Sequence, residues 1–189
     1  MRVTVKNTNE YPWFIWSFFW NQKKKYSVVL LPGLVWARVP TLFVSVAMLY
    51  GALGRKSSPL DPVLRSLITV RVSQINWRHF CVDIKASTLA KRAGSLAKAE
   101  QVGQWQKSEL FSDKERVALE YTEAITFSDQ QVTDELVVRL KSFFDDDGVA
   151  ELTGLIAFQN LSSKFNSALD VPAQGFCKLP FDLRGDSSG

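Results

Sequence analysis

The chain has 189 residues, 46% apolar and 22% charged, a balance that suits one folded domain of ordinary to large size with an added arm and excludes a disordered chain. Its 23 Lys and Arg against 19 Asp and Glu leave a formal charge of +4, scattered along the sequence, so nucleic-acid binding is not expected. Cys81 and Cys177 stand far apart with no Cys-x-x-Cys or metal-ligand spacing, and His79 is the single histidine, which excludes a disulfide framework and leaves no ligand set for zinc; no cofactor is expected.

Residues 1–10 are polar and are expected to fray. The opening MRVTVKNTNE lacks the apolar core of a secretory leader, so a cytoplasmic protein is expected. Residues 1–31 read as an arm: six aromatics fall between Trp13 and Trp20, and Lys23, Lys24 and Lys25 follow in a row. An aromatic block before a basic cluster suits a membrane interface through residues 11–26. The aromatics run nearly all round a helix, however, and leave no clean polar face, which favours packing over the chain's own core or a neighbouring subunit.

Pro32-Gly33 reads as a turn, and residues 32–181 as the main helical domain. Pro40 opens a helix to about Leu53, closed by Gly54; the apolar run from Val39 to Gly54 is short for a membrane span and reads as a buried helix. Asp61 N-caps the next helix, with Pro62 at its first position. Along it Leu64, Leu67, Ile68, Val72 and Ile75 recur at helical spacing, with Arg65, Thr69 and Asn76 on the other side.

That helix leads into the stretch that carries chemistry, SQINWRHFCVDIKASTLAKRAG at 73–94. Arg78 precedes Cys81 by three residues and Lys85 follows it by four, so on a helix the three share a face and both cations favour the thiolate. His79 and Asp83 form a second i, i+4 pair in which the carboxylate can hold the imidazole in one tautomer. The competing account is a small buried hydrophobe, the commoner fate of a lone helical cysteine.

Gly94-Ser95 ends this helix and Ser95 caps a short one through about Trp105. Ser112 and Glu115 make a capping box for a helix carrying Val117, Ala118, Tyr121 and Ile125. Thr133 caps another through about Phe144. The acidic DDDG at 145–148 leads into a long helix, apolar over most of its circumference and therefore central, ended by Pro172. Residues 182–189 read as a loose tail. The Asn160-Leu161-Ser162 glycosylation pattern lies within an apolar helix and is discounted, as is Arg184-Gly185-Asp186 in the tail. No strand-like alternation of useful length is present, and the fold class is all-α.

The order of a helix ending VRVSQIN, a cysteine segment running into ASTLAKRAG, then SDKERVALEYTEAI, VTDELVVRL and a last apolar helix resembles the carboxymuconolactone decarboxylase and alkylhydroperoxidase D-like (AhpD-like) family over residues 32–171. The resemblance implies an AhpD-like helical bundle assembled as a trimer or hexamer. Its peroxidase branch uses Cys-x-x-Cys-x-x-x-His at the start of a helix. Here the first cysteine falls on Arg78, the second on Cys81 and the histidine on Lys85, while a relay glutamate falls near Ser66. The decarboxylase branch uses His and Arg on a cyclic lactone acid, and Arg78 with His79 offers such groups, out of register.

Three functions follow as expectations. The first is a family member with a degenerate site, its peroxidase activity lost or weak. The second is a single-cysteine hydroperoxide reductase served by an external thiol reductant, with His79 or a water supplying the proton. The third is a non-enzymatic oligomeric interaction module using the N-terminal arm.

Overall fold

The computed structural model describes residues 1–76, 86, 88–94 and 96–172. Its helices are α1 (Trp13–Tyr26), α2 (Leu31–Trp36), α3 (Pro40–Leu53), α4 (Pro62–Ile75), α5 (Ala97–Gln101), α6 (Asp113–Thr126), α7 (Asp134–Lys141) and α8 (Asp146–Ala168). A helical stretch at residues 88–93 stands between α4 and α5, and a 3-10 segment, Val102–Lys107, follows α5. No strand occurs among the described residues.

Local chemistry sets the helix starts. The Asp61 carboxylate accepts from the backbone N–H of Val63 (2.7 Å) and Leu64 (3.1 Å), and Pro62 occupies a first-turn position where no intrahelical N–H bond is lost. Ser112 and Glu115 close the expected capping box on α6, and Thr133 caps α7. The acidic run opens α8: Asp145 is its N-cap, accepting from Gly148 N–H at 2.8 Å, and Asp146 and Asp147 sit in the first turn, where the helix dipole favours negative charge.

Helix α4 is the axis of the main core, packed on α6 and α8. Leu64, Leu67, Ile68 and Val72 are buried as their spacing predicts, but Arg65, Ser66, Thr69 and Ser73 on the remaining faces are buried too. The hydroxyls bear this because each donates back into its own helix: Ser66 to the Pro62 carbonyl (3.0 Å), Thr69 to Ser66 (3.0 Å) and Ser73 to Thr69 (2.7 Å). Arg65 reaches the Leu53 (2.9 Å) and Arg55 (3.1 Å) carbonyls, placing a cation at the C-terminal end of α3. Burial, and then the charge of Arg92, push its pKa below the usual arginine value.

A second apolar cluster joins Tyr11, Ile15 and Phe19 to Leu34, Trp36 and Phe43, with Trp36 stacked on Phe165 of α8 at 3.4 Å. The start of the chain, expected to fray, is docked through Met1 and Arg2. Arg2 N–H donates to the Leu169 carbonyl (2.8 Å), its guanidinium to Ala168 (3.0 Å), and the N-terminal ammonium meets Asp170 at 3.1 Å. Pro32 and Gly33 lie within α2 rather than in a turn, because proline is tolerated in a first turn. The run expected as a buried helix is α3, and only its Phe43 is buried; Met48 is 71% exposed and Tyr50 53%. A helix apolar on every side has no preferred face, so its neighbours decide which part is covered. No helix among the described residues is long and apolar enough to cross a membrane.

Candidate functional site

The residues that sequence singles out, Arg78, His79, Cys81, Asp83 and Lys85, lie outside the described residues, as does Cys177. What the structure defines is the frame on either side of them. Upstream, α4 ends at Asn76, whose side-chain nitrogen donates to the Val72 carbonyl (3.0 Å) and to Asn160 Oδ1 on α8 (2.8 Å). Asn160 in turn donates to Ile156 O and Thr126 Oγ1, each at 3.1 Å. Because carbonyls only accept, the bonds to Val72 and Ile156 settle the orientation of both amides. The exit from α4 is thereby tied to α6 and α8, and Asn160, the discounted glycosylation asparagine, has its amide committed.

One turn back, Arg71 and Glu123 make a largely enclosed ion pair. Glu123 Oε1 receives Arg71 Nη2 (2.6 Å), Arg71 Nε (2.7 Å) and Trp105 Nε1 (2.7 Å), and Oε2 receives Gln106 (3.2 Å). One carboxylate thus joins α4, α6 and the 3-10 segment. Periodicity put Glu123 in α6 but gave no sign of its partner in α4.

Downstream, Ala86 and Leu89 are fully buried in the main core. Arg92 donates to the Pro62 carbonyl (3.0 Å) and to Ser66 Oγ (2.8 Å), fastening residues 88–93 to the first turn of α4. Gly94 follows with φ +69°, a left-handed value that suits glycine at a helix end. Ser66, where the resemblance places a relay glutamate, is buried and engaged by Arg92, so the described position carries a hydroxyl and no carboxylate.

Beside this frame lies a cavity of roughly 300 Å³ between α1, α2, α3 and α8, and Thr88 also lines it. Its walls are mainly aromatic and aliphatic, with Asn21, Gln22 and Lys25 on the α1 side and Gln159, Ser162 and Asn166 on the α8 side. Among the described residues no group of three or more His, Cys, Asp or Glu is placed to hold a metal ion.

Residues 41–124, from α3 through nearly all of α6, match the carboxymuconolactone decarboxylase family model. A peroxidase-related protein of Ralstonia eutropha JMP134, described as an alkylhydroperoxidase AhpD core, superposes with a TM-score of 0.83 over 91% of each chain at 21% identity. The chain belongs to the carboxymuconolactone decarboxylase family. Its fold is AhpD-like. Within the known proteins this family member is 48% identical over 161 residues to the uncharacterized protein YnjA of Escherichia coli (strain K12), covering 85% of this chain and 88% of YnjA. It also shares its fold with the debrominase Bmp8, solved as a cysteine-to-alanine variant in complex with 2,3,4-tribromopyrrole, at a TM-score of 0.81 and 17% identity over 93% of each chain.

Proposed function

We propose that this family member has a degenerate peroxidase site in which a single thiol, Cys81, remains, with dithiol turnover lost or weak. The observation that carries this is Arg78 at the place of the family's first cysteine. A dithiol cycle ends in a disulfide, whereas a lone thiol is oxidised first to the sulfenic acid and has no second sulfur beside it to close a disulfide. In that step the thiolate attacks one peroxide oxygen, the O–O bond breaks, sulfur gives up two electrons, and the departing alkoxide takes a proton. An external thiol must then restore the sulfur. Ser66 supports the same reading, since a hydroxyl held by Arg92 offers no relay acid.

The test compares the two cysteines. Cys81 should alkylate faster than Cys177 at neutral pH, and Arg78→Ala and Lys85→Ala should each slow it, because each removes a charge that favours thiolate. If Cys81 reacts only after unfolding, it is a core residue and the thiol reading is lost.

A competent single-cysteine enzyme is the second reading. It is favoured by Bmp8, a protein of the same fold solved with a cysteine replaced and a small halogenated ring bound. Peroxide consumption by the wild type that persists in Cys81→Ser would count against both readings and shift attention to Arg78, His79 and Asp83 as an acid-binding, proton-transferring set.

Self-association completes the proposal. Trp13 (80% exposed), Trp20 (63%) and Met48 (71%) project from α1 and α3, which meet through Phe18 and Phe43. Monomeric proteins seldom leave such apolar surface uncovered. Light scattering should therefore report a multiple of 21.3 kDa at micromolar concentration, and the monomer mass would exclude this.

A further inference from the structure

The geometry points to the cavity between α1, α2, α3 and α8 as a binding site for a small planar aromatic compound bearing one hydrogen-bond donor, such as a phenolic hydroxyl or a ring N–H. At roughly 300 Å³ it falls at the small end of ligand pockets and admits about two fused rings. Phe18, Trp36, Phe43, Tyr50 and Phe158 supply aromatic walls for stacked or edge-on contact.

The polar requirement comes from Gln159, which lines the cavity and is only 2% exposed. Ser73 has one hydroxyl proton and gives it to the Thr69 carbonyl at 2.7 Å, so towards Gln159 it can only accept. The Gln159 nitrogen therefore faces Ser73 (3.0 Å) and also reaches Ser163 (3.1 Å). Its carbonyl oxygen takes part in neither bond and can receive a proton donor from an occupant, and an acceptor in such a site discriminates against a ligand that brings none.

This goes beyond the thiol reading, whose substrate is a peroxide, and does not rest on it. Occupancy is testable without any chemistry at sulfur. The full chain is titrated with 2-naphthol and with 2-methoxynaphthalene, which keeps the rings and lacks the donor, by calorimetry and ligand fluorescence. One 2-naphthol per chain is expected, bound about 3- to 10-fold more tightly than the methoxy compound, the range of one neutral hydrogen bond. Gln159→Met should abolish that preference. Ala47→Trp, which fills the cavity from α3, should weaken both ligands more than tenfold. Binding is read with no peroxide or thiol reagent present, so a failed thiol experiment and an empty pocket are told apart. Equal affinity for the two compounds in the wild type, or 2-naphthol binding that Ala47→Trp leaves within twofold, overturns the assignment. Both outcomes remain readable if Gln159→Met does not fold.

Discussion

Arg78→Cys is expected to convert a chain that reacts once with peroxide into one that closes a disulfide and turns over. The substitution restores the Cys-x-x-Cys spacing with Cys81. A first thiolate oxidised to sulfenic acid is then attacked by the second, releasing water, and the pair is reopened by a dithiol reductant. The wild type should show at most one oxidation of Cys81 per chain and little turnover. Mass spectrometry of the peptide spanning both positions, with dithiol-dependent peroxide consumption, reads the difference. On the register that the resemblance implies, Lys85 takes the place of the family's histidine, so turnover should remain modest while disulfide formation is near complete. A variant whose Cys81 alkylates normally yet forms no 78–81 disulfide under peroxide would show that the frame does not hold the family's site geometry.

Glu123→Ala should produce the largest loss of stability of any single change in the frame, about 3–5 kcal/mol, because it removes one partner of an enclosed ion pair and leaves the other charge buried. The Arg71 and Glu123 side chains are only 14% and 11% exposed, and the same carboxylate also satisfies Trp105 and Gln106. Against a typical domain stability of about 5–15 kcal/mol, such a loss shows clearly in urea unfolding. Glu123→Gln keeps an acceptor for Trp105 and should cost about 1–3 kcal/mol. Arg71→Met combined with Glu123→Leu should recover part of the loss, since two apolar groups leave no unpaired charge. A loss below about 1 kcal/mol for Glu123→Ala would mean that water reaches Arg71 and that the pair does not pin α4 to α6.

Much of the helical order was legible because its signals are local. Asp61 with Pro62, Ser112 with Glu115, and Thr133 satisfy backbone N–H groups within a few residues of themselves, so the side chain that caps a helix is next to the helix in sequence. The apolar spacing of α4 likewise predicted the burial of Leu64, Leu67, Ile68 and Val72. The thiol constellation of Arg78, His79, Cys81, Asp83 and Lys85 is legible only as residue types at helical spacing, and it lies outside the described residues.

What sequence alone determined about this protein is therefore its all-helical class, the starts of α4, α6 and α7, and its family. Tertiary structure decided which side of α3 is covered, that the hydroxyl face of α4 is buried, that Met1 and Arg2 dock on the end of α8, and that Glu123 finds Arg71 52 positions away. It also decided the cavity, whose lining comes from four helices and Thr88. Caps and periodicity act over a turn or two of chain. Burial of an evenly apolar helix, the pairing of distant charges and the shaping of a cavity depend on which elements meet, and that choice belongs to the packed molecule as a whole.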